Sequence, residues 1–389
     1  MTPAPIGYSR RMSSMPPSSD TAPRVDVRSN PGDADRPLVV VTGGSGLLGS
    51  ALIERLIDDY RIVSIDLDGD PRSPSSVDFI CTDLTDDDSV RRAFERIRTI
   101  HGDRIASLVH LAAYYDFAGE DSPLYEAVTV EGTRRILDAL ADFEITQFVF
   151  SSTMLVHEPA GPEHEISERD PIEASWPYPE SKVETEQLLR DHPQHERMST
   201  VVARLAGVYD EAGHSPPIVN QIRRIDGRWI TSHFYPADLG CGQAFVHRDD
   251  AIDALVKIVE RRDDLPAWFP VLVGEPDTVG YGELQDVIAE SLYGREWPTA
   301  RIPAPIAKVG AWVREHNPFG EDPFIRSWMV DRAGDNYDID IERATEELGW
   351  RPRHRVDDVV PQMIERMRSD RDAWYAENDV APPRRLLPA

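Results

Sequence analysis

The sequence predicts an α/β protein: a doubly wound parallel sheet with a smaller mixed α/β cap at its carboxyl-terminal side. Three observations carry this. Short β-branched runs alternate with helix-length amphipathic stretches from residue 38 to about 206, the pattern of strand–helix–strand crossovers. The first run ends in a glycine cluster that opens the first helix. After residue 207 the alternation loosens and prolines and tryptophans become frequent, which suits a cap better than further sheet.

The elements follow in order. "LVVVTGG" begins abruptly at Leu38 as a continuous β-branched run, the mark of a central parallel strand buried on both faces. "GLLGSALIERLIDD" has helical periodicity. "RIVSID" (61–66) and "VDFICTDL" (77–84) are the second and third strands. Residues 86–101 form a polar-faced helix and "ASLVHLAA" (106–113) a fourth strand. A helix around 122–142 leads to "QFVFSS" (147–152), the fifth strand. A helix over 176–191 and the strand "TVVARLA" (200–206) complete the alternation. Helices near 250–262 and 282–293 lie in the cap over the sheet's carboxyl edge, where such sheets bind ligands. Residues 356–377 read as one amphipathic helix, and no internal repeat is present.

This divides the chain into a disordered tail (1–36), a nucleotide-binding domain (37–206), a substrate-binding region interleaved with the sheet (207–370) and a polar tail (371–389). Six prolines and six serines within residues 1–36, without hydrophobic periodicity, give no core. Arg10-Arg11 lacks the following apolar stretch of an export signal, and Met12 or Met15 are alternative starts.

Composition excludes several classes. The 389 residues are 40% hydrophobic and 29% charged, with mean hydropathy −0.42, and no run approaches the ~18 apolar residues of a membrane span. Cys81 and Cys241 are too few for a disulfide framework and fit a reducing cytoplasmic compartment. A net charge of −27 (42 basic, 69 acidic residues) argues against nucleic acid and anionic membranes as partners. Of the basic residues, 39 are arginine; Lys182, Lys257 and Lys308 are the lysines. Two origins fit this bias: a GC-rich genome with an ordinary acidic surface, or a host whose internal salt screens self-repulsion.

Thr42-Gly43-Gly44-Ser45-Gly46-Leu47-Leu48-Gly49 lies where the first strand meets the first helix. Glycine there permits a tight turn, close approach to a pyrophosphate and close helix–strand packing, with the phosphates on the helix N-terminus. Asp66 ends the second strand, 23 residues after Gly43. A carboxylate there accepts from adenosine ribose hydroxyls and repels a 2′-phosphate, so the pattern is a Rossmann site for NAD. Arg72 complicates this preference. Asp83 and Leu84 end the third strand, where an adenine edge lies.

Tyr178-Pro179-Glu180-Ser181-Lys182 sets a phenol and an ammonium four residues apart on one helix face. A phenol of pKa ~10 becomes a useful base only when a cation stabilises its phenolate, and Lys182 has that role. Tyr178 then relays the proton of a hydroxyl while hydride passes to or from a nicotinamide. Ser151, Ser152 and Thr153 follow the fifth strand, where a hydroxyl can meet the reacting oxygen. The eleven histidines show no metal-ligand spacing. Asp249 and Asp250 are expected to cap the helix near 251.

Together these residues resemble an extended short-chain dehydrogenase/reductase of the NAD-dependent epimerase/dehydratase family, over about 38–365. "TGGSGLLG" matches TGxxGxxG, "HLAA" (110–113) HxAA, "VEGT" (130–133) VxGT and "YPESK" YxxxK. "FVHRDD" (245–250) resembles VHxDD, and "ERATEELGWRP" (342–352) the family's KAxxxLGWxP. The resemblance implies Tyr178 as acid/base, Lys182 as its activator and ribose ligand, and Thr153 as the substrate-hydroxyl contact. It implies a dinucleotide lined by Gly43, Gly46, Leu47, Gly49, Asp66, Asp83, Leu84, Ala112 and Ala113. It also implies a small-molecule substrate, and a homodimer packed through the helices near 122–142 and 176–191.

The departures bear on substrate. Dehydratases of the family carry Thr-Asp-Glu where this chain has Thr153-Met154-Leu155, and neither Met nor Leu transfers a proton, so water elimination and decarboxylation are disfavoured. The phosphate-binding arginine before VHxDD is Gln243, while Arg332 in "RAGD" keeps the second anchor. Gly207 and Thr129 replace family asparagines. Arg223, Arg224 and Arg228 either compensate or form a solvated helix face, and the latter is the expectation. Residues 312–329, rich in aromatics, read as cap core or pocket wall. The leading expectation is an NAD-dependent epimerase or oxidoreductase acting on a sugar or sugar-nucleotide hydroxyl. Its alternatives are a ketoreductase for a hydrophobic, hydroxysteroid- or flavonoid-like alcohol, and a non-catalytic NAD-binding scaffold or sensor.

Overall fold

The computed structural model describes residues 36–116, 119–161, 164–315 and 325–383. The Pro/Ser-rich segment up to residue 35 therefore lies outside the described residues. The first half runs β1 (Leu38–Thr42), α1 (Leu47–Leu56), β2 (Arg61–Asp66), β3 (Asp78–Cys81), α2 (Asp87–His101) and β4 (Arg104–His110). It continues through α3 (Glu131–Ala139), β5 (Glu144–Thr153), α4 (Pro177–Asp191) and β6 (Ser199–Leu205). The helix expected over 122–142 is a π-helical turn (Tyr125–Val130) leading into α3 and a closing 3-10 turn.

The second half holds β7 (Gly207–Tyr209), α5 (Pro216–Asp226), β8 (Phe234–Tyr235), β9 (Phe245–His247), α6 (Arg248–Glu260) and β10 (Trp268–Val273). Then come α7 (Tyr281–Tyr293), β11 (Ala300–Arg301), α8 (Ala304–Glu315), α9 (Ser327–Asp331), α10 (Glu342–Leu348), α11 (Val356–Ser369) and α12 (Arg371–Glu377). The main sheet has seven strands in the order β10-β6-β5-β4-β1-β2-β3, and its pairings are parallel. Along β1, Val39 and Val41 face one core while Leu38 and Val40 face the other, which is why this run carries no polar alternation.

The strand order reverses direction of growth at β1, between β4 and β2. There the loops leaving β1 and β4 diverge and open a crevice at the carboxyl edge. The cap is built on two short parallel ribbons, β7–β9 and β8–β11, with α5, α7 and α11 sharing its core.

β10 adds a seventh strand from the region expected to interleave with the sheet. Three local expectations need correction. Asp249 and Asp250 do not cap α6: His247 is the N-cap and its side chain accepts from Asp249 N. Asp250 is instead fully buried and accepts from the amides of Arg353 and His354, both 2.9 Å. It ties the carboxyl-terminal segment to α6. The helix expected over 356–377 breaks at Asp370, whose carboxylate accepts from Ala373 N and starts α12.

Nor is 371–389 a polar tail along its described length. Trp374 and Tyr375 are buried in the cap core. Asp226 at the end of α5 holds α12 by accepting from Arg371 Nη2 (2.8 Å) and the Tyr375 hydroxyl (3.0 Å). Truncating Trp374 to Ala is expected to cost about 3 kcal/mol or more, the usual loss for a large buried aromatic. An unchanged urea midpoint for that variant would show that α12 contributes nothing to the fold.

Candidate active site

The glycine-rich turn is built by contact distances that leave no room for side chains. Gly43 has φ +70°, and a Cβ there would lie 2.8 Å from Ala112 N; its own amide donates to Ile65 O at 2.9 Å. A Cβ on Gly49 would lie 2.1 Å from Gly43 O. Gly46 is different, because a Cβ there meets only Gly43 O at 3.2 Å. It is the N-cap of α1, with no side-chain cap and no acidic residue in the first turn. An α-helix leaves its first amides without intrahelical partners and carries partial positive charge at that end. The turn is thus an open, uncapped cradle suited to a pyrophosphate.

Asp66 accepts from Ser45 N (3.0 Å) and Leu67 N (2.7 Å), fixing its carboxylate beside the turn. Arg72 does not neutralise it. That guanidinium is bonded to Asp70, with Nη2 3.0 Å from Oδ2. Asp83 accepts from Thr85 N and Oγ1, Leu84 is buried against Gly132, and Ala112 N donates to Thr42 Oγ1 at 3.3 Å. Ala113 follows in the loop leaving β4. Gly43, Gly46 and Gly49 of the turn after β1, Asp66 at the end of β2 and Ala112 of the loop after β4 meet at the sheet's carboxyl edge, and their chemistry fits an NAD-type dinucleotide, while Asp83 and Leu84 follow β3.

His110 lies beneath this crevice. Its Nδ1 is 2.6 Å from Thr42 Oγ1 and its Nε2 2.9 Å from Thr133 Oγ1. Because Thr133 spends its own proton on Thr129 O, it accepts from His110 Nε2–H, leaving Nδ1 to accept from Thr42. Thr129, where the family has asparagine, accepts from Tyr114 N at 3.1 Å and so holds the β4 loop.

β5 and α4 bring the catalytic candidates together. The Tyr178 phenol is hydrogen-bonded to the Thr153 hydroxyl. Lys182 is buried and donates from Nζ to Ser151 O at 2.8 Å, with Nζ 4.8 Å from the Phe150 ring centroid and 5.8 Å from that of Tyr178. Burial pushes Tyr178 up to about 12, and the Thr153 bond offsets this only in part. Burial likewise pulls Lys182 down to about 7, against the opposing charge of Glu186. Burial thus opposes the phenolate, and Lys182 with the positive charge of a nicotinamide is what would favour it. The ammonium is directed at a carbonyl, and the resting phenol is protonated.

Around Tyr178 stands an aromatic wall that the sequence reading missed. The Tyr115 ring is edge-on at 4.8 Å, Trp176 lies at 5.6 Å, and Trp328 stands 5.4 Å beyond Trp176. Trp176 and Trp328 also line a cavity of about 500 Å³ between the sheet edge and the cap. Gln243 and Arg332 line it too, and Arg332 donates to Asp335 and Ser175 O, both 3.3 Å.

The face carrying Arg223 and Arg224 is not solvated as expected. Arg223 is buried and donates to Ala381 O at 2.7 Å. Arg224 donates to the Tyr281 hydroxyl (3.0 Å) and Thr231 O (2.6 Å) at the cavity wall. Only Arg228 of the three is exposed. Of residues 312–329, Ile325, Trp328 and Met329 are pocket wall, and 316–324 lie outside the described residues. No cluster of metal-ligating side chains occurs among the described residues.

The profile of the NAD dependent epimerase/dehydratase family matches residues 39–271. The dTDP-D-glucose 4,6-dehydratase of Mus musculus is 22% identical over 90% of this chain and 92% of its own. A 3 beta-hydroxysteroid dehydrogenase/Delta 5-->4-isomerase of Mycobacterium tuberculosis is 23% identical over 84% of this chain and 89% of its own. Among solved structures, the Thermus thermophilus UDP-glucose 4-epimerase complex with NAD superposes with TM-score 0.63 at 21% identity, over 86% of this chain and 99% of that one.

The buried imidazole yields a pH prediction. Burial, with Lys182 nearby, lowers His110 to about 3, whereas an unfolded histidine titrates near ~6.5. Below that value the unfolded chain binds the proton and the folded chain does not. Stability from this group is therefore complete above about pH 6.5 and lost by about 1.4 kcal/mol per unit as pH falls toward 3. Comparing urea midpoints at about pH 7.5 and about pH 5.5, the loss should be smaller in His110→Asn, which keeps one donor and one acceptor. Equal losses in both proteins would remove His110 as a cause.

Proposed function

The chain belongs to the NAD-dependent epimerase/dehydratase family, and from that premise we propose that it is an NAD-dependent epimerase or oxidoreductase acting on a secondary hydroxyl of a sugar or sugar-nucleotide. The observation that carries this is the Thr153–Tyr178–Lys182 constellation at the sheet's carboxyl edge, one aromatic ring away from the cavity. NAD supplies the hydride acceptor and donor. The uncapped start of α1 would receive its phosphates and Asp66 its adenosine ribose, with the 2′-phosphate of NADP disfavoured by that carboxylate.

Tyr178 handles the proton. A protonated phenol at rest is ready to donate to a carbonyl oxygen; for oxidation it must first release that proton, so that its oxygen can take the proton of the substrate hydroxyl. Thr153 holds the phenol by one bond and directs it toward the substrate oxygen. Trp176 and Tyr115 exclude water from the pair. Met154 is buried and Leu155 lines the cavity, so these two positions offer no acid for water elimination.

A second reading, a ketoreductase for a hydrophobic alcohol, is favoured by the cavity walls. Trp176, Trp328, Met329, Phe245 and Ile325 line it, and Gln243 stands in place of a phosphate-binding arginine. The likeness to a hydroxysteroid dehydrogenase points the same way. Arg224 and Arg332 on the same walls favour an anionic substrate. A non-catalytic role fits poorly with a chain that retains both Tyr178 and Lys182. Free thiols at Cys81 and Cys241 support a cytoplasmic setting.

The experiment is to identify the nucleotide released by acid from the purified protein, then follow NADH with UDP- and dTDP-sugars against hydroxysteroids. NAD retained through purification, with turnover on a sugar-nucleotide, supports the first reading; turnover on a hydroxysteroid alone replaces it by the second. Tyr178→Phe should lose at least ~100-fold in turnover with NAD binding intact, and full turnover in that variant would remove Tyr178 from the chemistry.

We also propose a homodimer packed through α4 and the segment 125–139. Glu126 on that segment is raised by burial and by the neighbouring Glu184 and Glu131 carboxylates, so pairing two such faces adds like charge. Dimerisation should therefore strengthen with salt. Light scattering in about 0.1 M and about 2 M NaCl checks this; a monomer at both would count against the interface.

A further inference from the structure

Behind the catalytic pair lies a buried ionic network that the proposed chemistry does not use. Glu186 sits one helical turn beyond Lys182 on α4, so Tyr178, Lys182 and Glu186 form one stripe at spacings of four. Arg204 on β6 grips the Glu186 carboxylate at two points, Nε to Oε1 at 3.1 Å and Nη2 to Oε2 at 2.6 Å. Its Nη1 donates to His157 Nε2 at 3.0 Å, and His157 Nδ1 donates to Pro171 O at 3.3 Å. Arg204, Glu186 and His157 are at most 4% exposed. Burial, with Arg204 beside it, holds His157 down at about 4, so the imidazole stays a neutral acceptor and the network carries one carboxylate against one guanidinium.

The network reaches the active site through the end of β5. Three consecutive residues there hold the three members of the stripe. Ser151 O accepts from Lys182, Ser152 Oγ donates to Glu186 Oε1 at 2.6 Å, and Thr153 Oγ1 bonds Tyr178. Arg204 is the registered partner of Ser152 across β5 and β6, so the guanidinium that fixes Glu186 comes from the neighbouring strand.

Stability alone does not account for such a pair. Burying two charges costs desolvation that their attraction often only balances, and apolar residues of similar volume commonly serve as well. What this pair provides is a fixed negative charge one turn from a buried ammonium.

We propose that Glu186, fixed by Arg204 and Ser152, is a positioning residue for the catalytic pair: it keeps the Lys182 ammonium charged and seated on Ser151 O beneath Tyr178. The groups facing Lys182 are Tyr178 and Glu186 on its own helix, His110 on β4, and the Phe150 ring and Ser151 carbonyl on β5. His110 is neutral and Tyr178 rests protonated, so Glu186 is the counter-charge. Without it, burial is opposed by no anion in this group, and Lys182 loses its proton at lower pH.

The composition makes this directly measurable, and without any substrate. The chain has three lysines, Lys182, Lys257 and Lys308, so protein labelled with carbon-13 at lysine Cε gives three signals to titrate by NMR, the Lys182 signal being the one absent from Lys182→Met. In Glu186→Gln the Lys182 titration should move at least about one unit lower, a tenfold weaker hold on the proton, while Lys257 and Lys308 stay put. Because a lone buried Arg204 strains folding, the double variant Glu186→Gln/Arg204→Met provides a fold-preserving partner and should show a displacement in the same direction, smaller because a cation leaves with the anion. A purely structural network would lower the melting temperature and leave the Lys182 titration where it was; that result in either folded variant overturns the proposal. The readout is independent of substrate, so a wrong substrate class leaves it intact.

Discussion

The seat of α4 on the end of β5 is the constraint on which the rest of the site depends. A parallel strand buried on both faces must end somewhere, and at its last residues the backbone and hydroxyl groups lose their neighbours in the ladder. β5 ends in Ser151, Ser152 and Thr153, and each finds its partner on one stripe of one helix. That stripe carries the phenol, the ammonium and the carboxylate. The depth of β5 in the sheet, between β4 and β6, thereby sets where the phenol stands relative to the crevice at β1. Gly43 packed against Ala112 closes the geometry from the other side, because it brings the dinucleotide cradle within reach of the β4 loop.

Electrostatics divide the molecule in two. The surface carries an excess of carboxylates, yet the interior around the site holds Lys182, Arg204, Arg223 and Asp250, each nine-tenths or more buried and each bonded. An isolated charge in such surroundings would shift its pKa until it was neutral. Arg204 cannot follow that route, since a guanidinium does not deprotonate, and it is matched by Glu186. Lys182 can follow it, and burial moves it far in that direction. The same burial that depresses the lysine raises Tyr178, so the two groups of the pair approach neutrality from opposite sides. For Lys182 this is a move toward working pH, while for Tyr178 it is a move away from it, which favours the phenol as a proton donor over the phenolate as a base.

Much of the sheet was legible because parallel strands write themselves as unbroken β-branched runs. "RIVSID" became β2 residue for residue, and Asp66, Tyr178 and Lys182 fell where spacing placed them. What was not legible has particular causes. β10 reads "WFPVLV", and Pro270 argues against a central strand; the strand is in fact the sheet's edge, where a missing amide costs little. α12 was legible as helix but not as a separate element, because nothing in the sequence showed that Trp374 and Tyr375 would be buried in the cap core. Arg223 and Arg224 looked solvated because arginine usually is, and only the fold shows the C-terminal segment and Tyr281 covering them. Glu186 carried a signal that could have been used: a third functional-type residue at the same spacing of four beyond Tyr178 and Lys182.

The cap wall carries two chemical signals, apolar and cationic, and they meet at Arg332. The aromatic and apolar side chains cluster next to Tyr178, where Trp176 and Trp328 continue the wall outward. Arg224 belongs to a separate corner, bonded to the Tyr281 hydroxyl, with the Tyr281 ring stacked on Tyr235 at 3.7 Å between centroids. Tyr235 in turn donates to Ala333 O, the neighbour of Arg332. The two arginines thus bracket a pair of stacked rings, and Arg332, bonded to Ser175 O beside Trp176, joins that corner to the aromatic wall. Gln243 then need not mark the loss of anion binding, because α5 supplies a cation to the same cavity from another direction.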